Sequence, residues 1–466
     1  VRRPSRGPVQ PRRAPRAPKA GRPPSDPARQ AAYEVIAAVH RDDAYANLVL
    51  PNVLRELALS GRDAAFATEL AYGTLRATGT LDAIVAAAAD RDMARIDPPV
   101  RDALRLGAYQ VLHTRVPPHA AVSSTVDLVR AVTPGAAGFA NAVMRRIAAQ
   151  ELDEWLADLA PPYPDDPVGH LALVHSHPQW IVRAFADALG GDLGETAAAL
   201  AADNERPPVH LCARPGRISP AELAEQVGGR PGTWSRYAVV LDGGGVPDLS
   251  GGRAHVQDEG SQLVALALVG APLDGDRDER WLDLCAGPGG KAGLLGALAA
   301  QRGARVTAVE VAEHRAQLVA RATRGLPVTV VHGDGREVEG EYDRVLVDAP
   351  CTGLGALRRR PEARWRRQPS DLPPLTRLQR ELLAAARRVV RPGGVVVYAT
   401  CSPHLAETKA AVRGAEQLDV RALLPAGMPG LGDGPDVQLW PHRHGTDAMY
   451  LSAVRRNGTE VRRLSR

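Results

Sequence analysis

Trp281-Leu-Asp-Leu-Cys-Ala-Gly-Pro-Gly-Gly-Lys291 is the stretch on which the fold turns. Its apolar run reads as a buried parallel strand, its glycines as a tight turn, and Ala292–Ala300 as the helix that follows. A carboxylate at the strand end and a Gly-rich turn let the backbone come close to a nucleotide-like ligand, with helix N–H groups facing it. By itself the pattern is ambiguous, because Gly287-Pro-Gly-Gly-Lys-Ala292 also fits the GxGxxA form of a dinucleotide turn.

Working downstream, the spacing predicts four more strands: Arg305–Val311 with Glu310 near its end, Val328–His332 leading to Asp334, Asp343–Val347 running into Asp348-Ala-Pro-Cys351, and Val395–Ala399 running into Thr400-Cys401-Ser402. Acidic and thiol groups therefore gather at one edge of a doubly wound, Rossmann-like α/β sheet, where such folds bind ligands. Lys291 is followed by Ala292, which supplies no hydroxyl for magnesium and argues against a P-loop. It is also one of only three lysines among 58 basic residues, so a compact ammonium rather than a guanidinium fork is used there.

A length of 466 residues exceeds a single core and predicts a multidomain chain. No run of about 18 apolar residues occurs and no apolar signal core lies near the start, so we expect no membrane association and a cytoplasmic location. Cys212, Cys285, Cys351 and Cys401 are widely separated, with no CxxC spacing for a metal, and are expected as free thiols. Of the formal net charge of +5, residues 1–27 carry +7 and the rest −2, which makes nucleic-acid contact a matter of local patches.

Upstream, residues 1–24 are rich in Pro and Arg and are expected to be disordered, either as a solvated leader or as an RNA-attracting arm. Asp26-Pro27 then has the form of an N-cap followed by a first helical residue. Phe66/Leu70/Gly73, Val100/Leu104/Ala108/Val111, Val122/Val126/Val129 and Phe139/Val143/Ile147 recur at helical spacing, which predicts an all-α domain. Beyond the linker Pro161–Pro167, a helix from Ser176-His-Pro-Gln-Trp180, a strand Pro208–Arg214, a capping box at Ser219–Glu222 and a strand Tyr237–Leu241 predict a small α/β module, and Gly243–Gly252 marks the next joint.

Leu104-Arg-Leu-Gly-Ala-Tyr-Gln-Val-Leu112, Val116-Pro-Pro-His-Ala-Ala-Val122 and Gly138-Phe-Ala-Asn-Ala-Val-Met-Arg145 resemble the RNA-binding fold of the transcription antitermination factor NusB. From Ser176 onward the order of signatures resembles the ribosomal RNA small-subunit methyltransferase B family, and the resemblance spans roughly residues 28 to 455. The NusB resemblance departs at Ser123-Ser124, where relatives often carry Asn-Glu, and the methyltransferase resemblance at Glu407-Thr408, where they commonly carry Glu-Asn. The division expected is a basic arm at 1–27, a NusB-like RNA-binding domain at 28–160, a small α/β RNA-binding module at 161–250, a class I methyltransferase domain at 251–455 and a basic tail at 456–466.

The resemblance implies transfer of a methyl group from S-adenosylmethionine to cytosine carbon 5 in RNA, with 16S ribosomal RNA as the substrate and a monomer as the working form. Carbon 5 is a poor nucleophile, so the chemistry needs a thiolate to add at carbon 6, a group near N3 to stabilise the adduct, and a base for the carbon 5 proton. The family assigns the nucleophile to the position of Cys401, product release to Cys351 and the carboxylate near N3 to Asp348. For the donor, it implies Cys285, Ala286, Gly287, Pro288, Gly289, Gly290 and Lys291 on the methionine side, Glu310 at the ribose hydroxyls, Asp334 at the adenine, and Asp348 once more.

Two other readings fit parts of the chain: a non-catalytic NusB-like RNA-binding factor with a degenerate methyltransferase domain, and a dinucleotide-dependent dehydrogenase. The loop Arg358-Arg-Arg-Pro-Glu-Ala-Arg-Trp-Arg-Arg367, six arginines about one tryptophan beside Cys351, is expected to meet RNA phosphates and bases rather than to be a merely charged loop.

Overall fold

The computed structural model describes residues 26–241, 247–249 and 251–456. The arm at 1–24, most of the glycine-rich joint and nearly all of the basic tail lie outside the described residues.

The N-terminal part is helical from Pro27–Arg41 through Leu152–Leu159. The first helix opens as its sequence predicts: Asp26 accepts from the amides of Ala28 and Arg29 at 3.0 and 3.2 Å, with Pro27 in the first turn. The periodic residues Leu70, Val100, Leu104, Ala108, Val129, Val143 and Ile147 share one core, each large aliphatic contributing roughly 1.5–3 kcal/mol relative to exposure. Gly73 of Gly61–Arg76 has no side chain because the Tyr109 ring of Pro98–His113 occupies the space a Cβ would need.

Three further helices, Pro167–Val174, Gln179–Ala188 and Leu193–Ala202, precede a four-stranded antiparallel sheet. Its strands are β1 (Val209–Ala213), β2 (Gly229–Pro231), β3 (Ala238–Leu241) and β4 (Ala254–Val256), in the order β2-β3-β1-β4. The capping box is formed: Ser219 Oγ accepts from the Glu222 amide at 3.2 Å while Glu222 Oε2 accepts from the Ser219 amide at 2.8 Å. Strand β4 pairs with β1 across residue 250, and the three helices bury Leu171, Ile181 and Phe185 against Leu354, Leu357 and Trp440, so their core is shared with the C-terminal part.

The large sheet contains β5 (Arg280–Asp283), β6 (Arg305–Glu310), β7 (Val328–His332), β8 (Tyr342–Asp348), β9 (Val390–Thr400), β10 (Gln417–Leu418), β11 (Val437–Gln438) and β12 (Tyr450–Arg455). The order is β10-β12-β9-β8-β5-β6-β7, with β11 on β12. Strands β5 to β9 are parallel; β12 runs antiparallel to β9. The chain winds outward from β5 to β7 and then returns to its other side with β8, so the switch point lies between β5 and β8.

The arginine-rich loop does something the sequence reading did not anticipate: most of its arginines hold the protein together. Arg364 is fully buried and donates to the carbonyls of Arg76, Ser176 and Asp203 at 3.0, 3.2 and 2.7 Å and to Asn204 Oδ1 at 2.6 Å. Arg366 donates to the carbonyls of Val39 and Ala44 at 2.7 and 2.6 Å. Arg358 and Arg359 are engaged with Asp447 and Asp258. A guanidinium presents five donors in a rigid fork, which suits a joint where several chain segments offer carbonyls.

Candidate active site

Strand register brings the two cysteines together. Asp348 is paired with Ala399 across β8 and β9, the Ala349 amide donates to the Ala399 carbonyl at 2.9 Å, and the Gly355 amide donates to the Cys401 carbonyl at 2.9 Å. The loops leaving these strands are thereby crossed, and Cys351 Sγ lies 3.4 Å from Cys401 Sγ. At the neighbouring switch point Lys291 Nζ meets Asp348 Oδ2 at 2.8 Å.

A residue without a role in the sequence reading locks this arrangement. Glu407, fully buried, accepts from the Thr352 amide at 2.8 Å, Thr352 Oγ1 at 2.5 Å, Ser402 Oγ at 2.6 Å and Gln379 Nε2 at 3.1 Å. Thr352 follows Cys351 and Ser402 follows Cys401, so one carboxylate clasps both cysteine loops. The available signal was a glutamate six residues past a strand-end cysteine; its partners Thr352 and Gln379 lie too far away in sequence to be matched to it.

The Gly-rich turn forms a tight cradle. The Gly287 amide donates to Glu310 Oε2 at 3.0 Å, and a Cβ at Gly287 would collide with that oxygen. Gly289 has φ +111°, open to glycine alone in practice, and the helix Gly290–Arg302 starts directly after it. Ala286 is buried with its amide on the Val309 carbonyl at 2.9 Å, while Pro288 is exposed at the lip. The Cys285 amide donates to Asp283 Oδ1 at 3.3 Å; Asp283 is fully buried and its Oδ2 has no hydrogen-bond partner among the described residues. A buried acceptor left over beside a backbone cradle at a helix start fits a nucleoside-type donor.

Glu310 also accepts from the Ala312 amide at 3.0 Å, and the Gly333 amide donates to the Glu310 carbonyl at 3.1 Å, which brings Asp334 alongside. Among the described residues the Asp334 carboxylate is bonded to Arg336 and not to the cluster. It caps the short turn Gly335–Glu337 and is paired with Arg336 at 2.6 Å.

Charge sorts the thiols. A hydrogen bond from Cys351 lowers the pKa of Cys401 against the opposing effect of burial, and nearby Lys291 adds to the lowering. The same bond, together with burial, raises Cys351 well above an ordinary thiol. Burial also pushes Cys212 up to about 12 and Cys285 well up. Burial would lower the Lys291 ammonium, but Asp348 outweighs it and the net shift is upward. Asp283 is raised to about 7 by burial and by the charge of Asp348.

Iodoacetamide should therefore label Cys401 first, with a pH midpoint below the ordinary thiol value of about 8.5. In Cys351→Ala the midpoint should move upward, because the donor is gone. Preferential labelling of Cys351, or a midpoint unmoved in that variant, would contradict this ordering.

The parallel sheet with its ligand edge at the β5/β8 switch, the Gly-rich cradle and the helical N-terminal part define a class I methyltransferase fold joined to a NusB-like domain. Residues 271–455 match the family described as 16S rRNA methyltransferase RsmB/F, and residues 26–149 match the NusB family. The chain therefore belongs to the RsmB/F family of S-adenosylmethionine-dependent RNA methyltransferases.

It is 31% identical to the probable ribosomal RNA small subunit methyltransferase B of Bacillus subtilis, over 92% of this chain and 99% of that one. It is 34% identical to the ribosomal RNA small subunit methyltransferase B of Pseudomonas putida, over 91% and 98%. A provisionally named methyltransferase of Mycobacterium tuberculosis, Rv1407, is 59% identical over 93% of this chain and 97% of its own length. Among solved structures, a methyltransferase homologue from Pyrococcus horikoshii has the same fold with a TM-score of 0.51 at 23% identity, over 61% of this chain and 97% of that one.

Proposed function

We propose that this protein methylates carbon 5 of a cytosine in 16S ribosomal RNA through a covalent adduct at carbon 6, with Cys401 as the nucleophile. The observation that carries the reading is the thiol pair, 3.4 Å apart beside the Asp348–Lys291 ion pair at the switch point of the sheet. Cys401, the thiol whose pKa is lowered, attacks carbon 6 and forms the S–C bond. Asp348, with the Lys291 ammonium as a proton source, stabilises the charge that develops at N3. Bound in the cradle, S-adenosylmethionine supplies a methyl group on a sulfonium, an electrophile for the enamine carbon 5. Release of the carbon 5 proton to solvent then restores the carbon 5–carbon 6 double bond, Cys401 leaves as a thiolate, the proton taken up at N3 returns to the Asp348–Lys291 pair, and Cys351 assists this release.

The donor is held by Cys285 to Lys291 through backbone groups, by Glu310 at the ribose hydroxyls and by Asp334 toward the adenine. The Cys285 sulfur has no chemical role here; its amide shapes the turn. On the same reading the helical domain and the small sheet, with boundaries near residues 28, 160, 250 and 455, present the RNA, and the protein acts as a cytoplasmic monomer.

Bisulfite mapping of ribosomal RNA from a strain lacking the protein, beside strains complemented with the wild type or with Cys401→Ala, tests the function. One cytosine of 16S RNA should lose its methyl group and recover it with the wild type only. No missing cytosine methylation would remove the reading, and loss at an RNA other than 16S would remove the substrate assignment.

A further inference from the structure

A cleft of about 330 Å³ runs between the helical domain and the loop that follows Cys351. Four separate parts of the chain line it: Asn47 from Ala46–Glu56, Tyr72 and Arg76 from Gly61–Arg76, Arg206 from the segment before β1, and Arg358, Arg359 and Arg360 from the cysteine loop. Arg358 and Arg359 are already satisfied, with Asp447 Oδ1 2.8 Å from Arg358 Nε and Asp258 Oδ2 2.7 Å from Arg359 Nη2. Arg76, Arg206 and Arg360 form no ion pair among the described residues. Against these three cations the cleft sets one carboxylate, Glu69, whose Oε1 accepts from Tyr109 OH at 2.7 Å.

Arg76 is the most telling of the three. Its side chain is buried, its Nε has no hydrogen-bond partner among the described residues, and its guanidinium stands 5.6 Å over the Tyr72 ring. Burial of a guanidinium is costly unless it is paired, and the carboxylate that acts on Arg76, Glu69, is already engaged by Tyr109 OH and makes no ion pair with it, which leaves room for an incoming anion. The cleft is tied to the thiols through the chain: the Gly355 amide is bonded to the Cys401 carbonyl, and Arg360 lies five residues further on, at most about 18 Å of extended chain away.

We propose that this cleft holds the phosphate backbone of a single RNA strand leading to the cysteine site, with Arg76, Arg206 and Arg360 as the phosphate contacts. The proposal rests on the reading of the protein as an RNA methyltransferase. Three arginines outside any ion pair among the described residues, along one cleft, suit the charged backbone of one strand. An unpaired strand is also what the chemistry requires, because a thiol reaches carbon 6 only of a base taken out of its stack. Positively charged grooves that track the backbone are the general means of holding single strands.

The test compares two double variants of the full chain. Arg206→Ala/Arg360→Ala removes two cations from the cleft; Arg305→Ala/Arg321→Ala removes two exposed arginines from the opposite edge of the sheet, where β6 begins and the helix Glu313–Ala322 ends. Affinity for a short cytosine-containing single-stranded RNA is measured across a salt series, and S-adenosylmethionine binding by calorimetry.

The cleft variant should bind RNA more weakly and lose about 1.4 from the slope of log affinity on log salt, two contacts at roughly 0.7 each. Its donor affinity should equal that of the wild type. The opposite-edge variant should keep the full slope. An unchanged slope in the cleft variant, or equal losses in both variants, overturns the proposal. A wild-type protein that binds an acidic peptide in the cleft in preference to RNA also overturns it. If the wild type transfers no methyl group to ribosomal RNA, the underlying reading has failed, and that is known before any variant is compared.

Discussion

A covalent protein–RNA band on a denaturing gel is expected for Cys351→Ser and none for Cys401→Ser when each is incubated with RNA and S-adenosylmethionine. Both variants should lose turnover, Cys401→Ser by roughly 10⁴-fold or more, the scale seen when a covalent nucleophile is removed. Their failures should differ because the two sulfurs, 3.4 Å apart, have different tasks, Cys401 making the bond to carbon 6 and Cys351 helping to break it. Cys401 is favoured as the thiolate by the hydrogen bond from Cys351, while Cys351 is held as a thiol. Without Cys401 the S–C bond cannot form. With serine at 351 the attack and the methyl transfer proceed, and the adduct accumulates because its release is unaided. A band for Cys401→Ser alone would reverse the roles, and no band in either variant would end the two-cysteine mechanism.

The second large effect concerns stability and lies away from the thiols. Arg364→Met should lower the free energy of urea unfolding by about 3–5 kcal/mol, the range for breaking a buried charged network. The side chain is fully buried, and burial lowers its pKa to about 10, yet four acceptors converge on it, from the helical domain, from Ser176 between two later helices, and from the segment before β1. Methionine replaces only the aliphatic stem and leaves those oxygens without a donor. The neighbouring carboxyl of Asp203, raised to about 7 by burial, would also lose the cation that favours its charged form.

Because Arg364 and Cys351 share a loop, the variant should also separate the helical domain from the active-site loop, seen as faster proteolysis between residues 160 and 166. A midpoint shift worth under about 1 kcal/mol would mean that Arg364 is incidental to the joint.

How much of this was legible beforehand depends on the range of the interactions. A strand, a glycine turn and a helix are local objects, so Trp281–Lys291 announced the sheet and its cradle, and the ends at Glu310, Asp348 and Thr400 matched the strands within a residue. Helical spacing likewise identified the N-terminal core, since burial of one face leaves a period in the chain. Asp26 and Ser219 were readable for the same reason: a cap bonds to residues two or three positions away.

The sequence also supplied the inventory of chemistry, two thiols and several carboxylates at the ends of parallel strands. What it could not supply was pairing across distance. Cys351 meets Cys401 only because β8 and β9 are adjacent and in register, and Glu407 reaches Thr352 across 55 residues. The arginine loop shows the limit most clearly, because composition records six charges and not their partners. Only the folded chain decided that Arg364 turns inward to carbonyls as far as 288 residues away while Arg360 stays exposed beside a cleft. Hydrogen bonds of that span leave no period and no spacing; they depend on which surfaces the packed domains bring together.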